Sequence, residues 1–469
     1  MNLSDSERVS TVLEALGYQR CDIEEEADIL GLVSCSVRQR AIDKAYAKIR
    51  KWNSWKIRKN LITFATGCVL PADRGKFLKL FDLFFPINEL PDLPDMIRQY
   101  GVPTPLAAVS AEKFSNRGSD SSGEPAGDHR LTLEPRTDFW HIAPTHASRF
   151  EAFVPIQNGC DKFCSFCAVP FTRGREVSRP SGEILEEVED LIERGYRCIT
   201  LLGQNVNSYG LDGRGSEIGF AELLNRIGKA GDASGRELWV YFTSPHPQDM
   251  SMEVLETISE HKSLAKQIHL PLQSGDDRLL IKMNRNHIVD RYRSVVGNIR
   301  RLIPEATLFT DIIVGFPGET EAQFERTKEA MREFRYNMAY IAMYSPRPGA
   351  RSARWADDIP HQEKRRRLHI LSEELKKSSR AHNEALKGET LRFLVTGEDR
   401  NTGYLAARNE GRIIARYASQ DTSLVGTFVD LRVVSVSDLS VEGRLGVMRA
   451  RDGGIGDNAA QRKAPATAG

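Results

Sequence analysis

Cys160–Asp161–Lys162–Phe163–Cys164–Ser165–Phe166–Cys167 sets three thiols on one short stretch, just beyond Phe153, where a regular alternation of strand-like and helical segments begins. A compact loop brings all three sulfurs to one inorganic cube, and thiolates are the usual ligands of iron–sulfur clusters. Three cysteines satisfy three irons of a 4Fe–4S cluster and leave the fourth open to a substrate. A closed structural zinc site wants a fourth local ligand. None stands nearby, since His141 and His146 are too far upstream. Buried structural cysteines or a zinc loop are the alternatives, and three thiols at this spacing favour the cluster.

Downstream of the thiols, strand-like runs are expected at Cys198–Leu202, Leu238–Thr243, Gln267–Leu270, Leu308–Val314 and Met338–Met343. Helical spacing lies between most of them, at Gly182–Glu193, Ala221–Lys229 and Glu321–Phe334. Repeated βα units of this kind predict a parallel sheet, open or curled into a partial barrel. A long charged helix follows at about 362–386, and then a strand-rich piece that reads as a small β-barrel. Its strands are expected at Leu391–Val395, Gly403–Ala407, Arg412–Tyr417 and Thr427–Val434. Upstream of the thiols, helical spacing at Ser4–Leu16 and Ile42–Trp52 alternates with strand patterns at Ile29–Ser34 and Leu61–Thr66, a small α/β domain. The resulting α/β organisation is an N-terminal domain at 1–102, a polar Gly/Ser-rich linker or insertion at 103–137, a barrel core at 146–383, a small β-barrel at 386–447 and a disordered Gly/Ala-rich tail at 451–469.

The chain has 469 residues, 40% hydrophobic and 28% charged, as soluble globular proteins do. No run approaches a membrane span and the N-terminus has no apolar signal core, so a cytoplasmic protein without membrane partners is expected. A net charge of +1 does not announce a nucleic-acid binder, although local patches steer partners better than totals do. Thiols of a cytosolic chain stay reduced, which argues for metal rather than disulfides among the seven cysteines.

The thiol spacing, with the aromatic Phe166 directly before Cys167, resembles the radical S-adenosylmethionine superfamily. Along almost its whole length the sequence resembles the methylthiotransferases, the MiaB-type tRNA enzymes most closely. The strings that carry this are Gly159–Cys164, Phe171–Pro180, Leu201–Gly210, His269–Gly275, Asp311–Glu319 and Tyr344–Gly349. The resemblance implies that S-adenosylmethionine chelates the open iron and is split to a 5′-deoxyadenosyl radical, with Cys160, Cys164 and Cys167 as the catalytic cluster ligands. It implies 2-methylthiolation of N6-isopentenyladenosine beside the tRNA anticodon, one cofactor molecule giving the methyl group and another the radical. Aromatic C–H bonds have no acidic proton for a side-chain base, and cofactors carry such chemistry while the protein positions them. The C-terminal barrel resembles the RNA-binding TRAM domain. By the same resemblance the backbone of Phe166 touches adenine, and Gln204, Asn205, Ser244, Gln273 and Arg285, at the ends of expected barrel strands, contact the ribose and methionyl groups. Partners are tRNA, an external electron donor and a sulfur source, and the protein is expected to be a monomer.

The family's N-terminal domain holds a second 4Fe–4S cluster on three separated cysteines. Cys35 and Cys68 match two of them, each directly after an expected strand. The third should precede a pattern inside which Met1–Asn2–Leu3–Ser4–Asp5–Ser6–Glu7 begins, so a start assigned too far downstream, or a true truncation, is expected. Cys21 is a poor replacement, and Cys198 reads as core. His246 reads as a turn residue and Gly315–Phe316–Pro317–Gly318 as a strand-to-helix turn, which the family resemblance makes part of the cofactor wall. The basic run Lys364–Arg367, Lys376, Lys377 and Arg380 is either a solvated helix face or, with Arg408, Arg412 and Arg416, a phosphate-tracking surface. Rival readings are a methylthiotransferase for threonylcarbamoyl-adenosine or a ribosomal protein, and a non-catalytic RNA-binding relative.

Overall fold

A computed structural model of the chain describes residues 1–35, 39–99, 138–213 and 217–446. The expected linker at 103–137 and tail at 451–469 lie outside the described residues. At the N-terminal end, β1 (Ile29–Cys35), β2 (Ile62–Cys68) and β3 (Leu83–Phe84) pair in parallel in that order. Helices α1 (Asn2–Ala15), α2 (Gln39–Trp55), α3 (Pro71–Leu80) and α4 (Leu93–Gln99) pack around them. β2 is buried on both faces, as parallel strands between helices must be. Ile62 and Phe64 meet Val9, Val12 and Leu16, while Ala65 meets Ile42, Ile49, Trp52 and Phe77. α1 also buries Ser4, Asp5, Glu7 and Arg8, an unusual charge load: Arg8 donates to Ser4 within the helix, while Asp5 accepts from Arg173 and Glu7 from Ala147 N.

That unit is built on β4 (Glu151–Pro155), the short pair β5 (Gln157–Asn158) and β6 (Val177–Ser178), then β7 (Cys198–Leu202), β8 (Trp239–Phe242), β9 (Gln267–His269), β10 (Thr307–Val314) and β11 (Met338–Met343). Two three-stranded parallel sheets, β4-β7-β8 and β9-β10-β11, are joined by a parallel bridge between Val240 and Leu264. Helices α5 (Val169–Thr172), α6 (Ser181–Glu193), α7 (Phe220–Ala233), α8 (Met252–Glu260), α9 (Asp277–Lys282), α10 (Val289–Leu302) and α11 (Glu321–Phe334) run between the strands. Side chains alternate along each strand. Val154, Ile199, Leu201, Val240, Phe242, Ile268, Leu308, Ile312 and Ile341 join the helices in one large core. Thr200, Tyr241, His269, Asp311 and Tyr340 therefore share the inner face of a partial barrel.

The long helix, α12 (His361–Glu384), carries the basic run. Lys364 is buried against Asp357, and Arg367 against Glu319 at 2.8 Å. Arg366 pairs with Glu321 and Glu363, Lys376 with Glu373, and Lys377 with Glu374. Lys364 and Arg367 are thereby buried away from any phosphate, while Arg366, Lys376 and Lys377 keep their pairs on the exposed face of the helix.

The chain ends in a closed five-stranded barrel, β12 (Thr390–Glu398), β13 (Tyr404–Asn409), β14 (Ile414–Ala418), β15 (Phe428–Val436) and β16 (Ser440–Leu445), ordered β12-β13-β14-β16-β15. Two expectations need correction. Arg412 has φ 57° and belongs to the turn before β14, not to the strand. β16 was not among the expected strands, because Ser440–Leu445 buries only Val441 and Gly443, and Gly443 presents no side chain.

This barrel also closes the floor of the partial barrel. Arg408 pairs with Glu151 at 2.6 Å and donates to Cys198 Sγ at 3.1 Å. Arg412 stacks on Tyr241 at 4.2 Å and donates to Thr200 Oγ1 at 3.3 Å. Burial pushes the Cys198 thiol up to about 11, in keeping with a core residue. Among the described residues no helix is long and apolar enough to cross a membrane.

Candidate functional site

The three-thiol loop leaves the top of β4–β5 and is shaped by a glycine. Gly159 has φ 79°, and a Cβ there would stand 1.9 Å from the Arg175 carbonyl oxygen. Cys160 N–H donates to Gly174 O at 3.3 Å, and Cys167 N–H to Cys164 O at 3.0 Å, closing a turn around the thiols. The segment after α9 holds the loop from outside. Ser165 Oγ donates to Lys282 O at 2.9 Å, and Asn284 Nδ2 donates to the carbonyls of Lys162 and Phe163 at 3.1 and 3.0 Å. Arg285 Nη1 donates to Cys164 Sγ at 3.4 Å. Burial, with the neighbouring cysteines adding to it, pushes Cys160 up to about 12 and Cys167 up to about 11. Sulfurs this crowded and dry need cationic partners to become thiolates. Among the described residues no group of three or more His, Cys, Asp or Glu stands ready to hold a metal ion as placed.

The loop's geometry gives a first expected result. Gly159→Ala forces a side chain into a left-handed conformation that costs about 1–3 kcal/mol, and the overlap with Arg175 adds to it. A lowered iron content of reconstituted protein, with the melting of the rest of the fold little changed, is the outcome that checks this.

Around the same mouth stand buried polar atoms without protein partners. They include Gln204 Oε1, Asn205 Oδ1, Gln273 Oε1 and Arg285 Nε. Unpaired buried polar atoms are rare in native folds and need a reason. Asn205 is fixed by its Nδ2, which donates to Asp249 Oδ2 at 3.0 Å, so its free oxygen has a set direction. Gln273 has φ 73°, and β10 holds it through Gln273 N to Asp311 O at 2.8 Å and Ile313 N to Gln273 O at 3.0 Å. Ser244, also left-handed at φ 59°, is exposed just past β8. Strained residues gathered at strand ends mark binding sites more often than chance. Phe166 is half-buried against Leu279, Met283, Phe316 and Tyr344. His246 serves its turn, its Nδ1 accepting from Gln248 N at 3.2 Å, and burial holds it far below the usual histidine range. Gly315 (φ 68°) and Gly318 (φ 76°) make the turn after β10, with Gly315 N–H donating to Glu319 Oε2 at 2.5 Å.

The end of the N-terminal sheet reaches this mouth. Cys35 and Cys68 lie directly opposite each other in the β1–β2 register. Buried Ser34 Oγ and Thr66 Oγ1 beside them have no partner. Cys21 is exposed and donates to Ile23 O. Arg173, whose role the sequence did not suggest, crosses the junction. Its Nε donates to Cys68 Sγ at 2.9 Å, Nη1 to Asn158 Oδ1 at 3.1 Å, and Nη2 to Asn2 Oδ1 and Asp5 Oδ2 at 3.2 and 2.5 Å. Only its place inside the Phe171–Pro180 string signalled it.

The radical SAM superfamily model matches residues 154–331, and that of the uncharacterized protein family UPF0004 matches residues 1–85. The tRNA-2-methylthio-N6-dimethylallyladenosine synthase of Photorhabdus laumondii is 35% identical over 464 residues, covering 96% of this chain and 90% of that protein. The chain belongs to the tRNA methylthiotransferase family. The Yersinia enterocolitica synthase of the same name is also 35% identical, over 95% of this methylthiotransferase and 90% of the relative. Among solved structures, a radical S-adenosylmethionine methyltransferase from Kitasatospora setae aligns with 74% of this chain and 66% of that one. It does so at 14% identity and a TM-score of 0.46, too loosely to bear on chemistry. The family's resident groups are a 4Fe–4S cluster and S-adenosylmethionine. The methylthiotransferase offers them thiols, unpaired acceptors and one unpaired guanidinium N–H at a single strand-end mouth, a donor set that fits both.

Proposed function

We propose that this chain 2-methylthiolates N6-dimethylallyladenosine beside the anticodon of tRNA, with Cys160, Cys164 and Cys167 holding the radical-generating cluster. The observation that carries this reading is the meeting of the three-thiol loop with unpaired Gln204, Asn205, Gln273 and Arg285 atoms at one mouth, in a chain alike over its length to synthases of that name. When bound, the cluster and S-adenosylmethionine supply hydrogen abstraction from a C–H bond that no side-chain base can ionise.

The chain's own residues bind, orient and shield. Ser165 and Asn284 hold the loop rigid, so its sulfurs keep one arrangement. Arg285 donates to Cys164 Sγ, which fixes where that sulfur sits in the loop. The free oxygens of Gln204, Asn205 and Gln273 are acceptors for the ammonium and hydroxyl groups of the cofactor, and Ser244 and the Phe166 backbone line its adenosine end. Cys35 and Cys68 would supply two of the ligands of a second cluster, which when bound would supply sulfur for the methylthio group. Reducing electrons and replacement sulfur come from outside the chain.

The test is anaerobic reconstitution with iron, sulfide, S-adenosylmethionine and a reductant, followed by mass spectrometry of nucleosides from dimethylallylated tRNA. Appearance of the 2-methylthio nucleoside is the expected result. Conversion of threonylcarbamoyl-adenosine or of a ribosomal protein instead would refute the substrate, and cofactor left intact would refute the enzyme.

A further inference from the structure

The inner wall of the partial barrel is closed on one side and open on the other. On β7 and β8, Thr200 and Tyr241 are buried under Arg412 and the turn before β14, and Tyr241 is 1% exposed. On β10 the same turn reaches only the lower end of the inner face, where Thr307 Oγ1 donates to Gly411 O at 2.7 Å and Thr307 and Phe309 are buried; among the described residues the upper end, at His269, Asp311 and Tyr340, is less covered. Tyr340 is 50% exposed in the middle of a strand, and His269 and Asp311 are only half-buried. A tyrosine held so open at mid-strand, between neighbours Ala339 and Ile341 that pack into the core, leaves its ring accessible on the inner face.

These three side chains form one unit. Asp311 lies opposite Tyr340 in register, and Phe309 opposite His269. His269 Nε2 and Asp311 Oδ2 are 2.9 Å apart, and the His269 and Tyr340 rings are 5.6 Å apart with planes tilted by 42°. A carboxylate on Nε2 fixes the proton there and leaves Nδ1 as a lone-pair acceptor. The unit also abuts the mouth, since Gln273 hangs on the backbone of Asp311. A bland filler of a barrel interior would be buried, as Tyr241 is.

We propose that His269, Asp311 and Tyr340 seat the target nucleobase, an adenine whose exocyclic nitrogen keeps one N–H. Tyr340 offers its ring face for stacking, the sequence-tolerant way proteins hold an unpaired base. His269, oriented by Asp311, accepts the exocyclic N–H. Asp311 is a positioning residue, acting through His269. The seat rests on the tRNA reading above and deepens it by naming the residues that bring the base to the mouth.

The experiment uses reconstituted full-length enzyme and dimethylallylated tRNA, and reads kcat, KM and the 5′-deoxyadenosine released per methylthiolated nucleoside. Tyr340→Ala is expected to lower kcat/KM roughly 10- to 100-fold, the range of one base stack, and to raise the 5′-deoxyadenosine ratio several-fold because the base is misplaced. Tyr340→Phe keeps the ring and should stay within about threefold of the parent, since stacking needs only the aromatic face. Asp311→Asn should raise the ratio as well, by releasing His269. A merely structural tyrosine would lower the yield of folded enzyme without moving that ratio. Wild-type kcat/KM and ratio in Tyr340→Ala, with the parent active, would overturn the seat alone. A parent that consumes cofactor without modifying this tRNA would overturn the substrate reading, and the nucleobase seat with it.

Discussion

Cys164→Ala is expected to remove methylthiolation altogether, at least about 10⁴-fold below the parent, because the uncatalysed reaction has no measurable rate to fall back on. The loop should survive the change. Its shape is held by Ser165 on Lys282 and Met283, by Asn284 on Lys162 and Phe163, and by Gly159, none of which involves the lost sulfur. Thermal melting should therefore move little while iron falls by about four per chain, one cluster's worth. Cys160→Ala and Cys167→Ala should behave alike. Cys198→Ala should not, because Cys198 sits under Arg408 at the floor of the barrel, and exposed Cys21 is equally remote in role. A Cys164→Ala enzyme that kept its iron and its activity would remove the loop from the chemistry.

The same loop fixes a direction for pH. Burial holds Cys160 at about 12 and Cys167 at about 11, above the ordinary thiol range, so these two thiols of the metal-free loop are protonated at neutral pH. Ligation needs thiolates, so each cysteine that binds iron must give up its proton. Iron loading of the apo-protein is therefore favoured as pH rises. Titration of iron uptake against pH would show the slope.

What the sequence discloses and what it hides divide along sequence distance. The three thiols and the short strand-like runs at Cys198–Leu202 or Met338–Met343 are local patterns, and the strands fall where those runs place them. β16 escaped because a strand whose inward positions are Val441 and Gly443 carries almost no apolar signal. The basic run on α12 was ambiguous for a different reason. Glu363 pairs with Arg366 and Arg367 locally, but their other acids, Glu319 and Glu321, lie more than forty residues away, and only folding brings these together. Arg173 is the extreme case. Its partners sit at positions 2, 5, 68 and 158, so no local window contains the reason for it.

Arg173→Met should loosen the N-terminal sheet from the barrel mouth, with a local cost of about 3–5 kcal/mol, the usual penalty for orphaning one member of a buried ion pair. The Arg173 and Asp5 side chains are 2% and 1% exposed, so water cannot replace what is lost. Methionine supplies none of the donors that now reach Cys68, Asn158, Asn2 and Asp5. Lysine, a single point charge on a flexible stem, cannot span four acceptors and should rescue little. The damage is local, so hydrogen exchange in α1 and alkylation of Cys68 are better readouts than a single melting temperature, which is ill-defined for a chain with several units. Both should accelerate in Arg173→Met. Asp5→Asn added to it should recover part of the loss by removing the stranded carboxylate charge. The exposed pair Arg175–Asp161 is the control, and breaking it should leave α1 exchange and Cys68 alkylation unchanged. Unchanged α1 exchange in Arg173→Met would mean that Val9, Val12 and the other apolar contacts, not the guanidinium, hold the helix in place. In that case the position of Cys68 beside the mouth would owe nothing to Arg173.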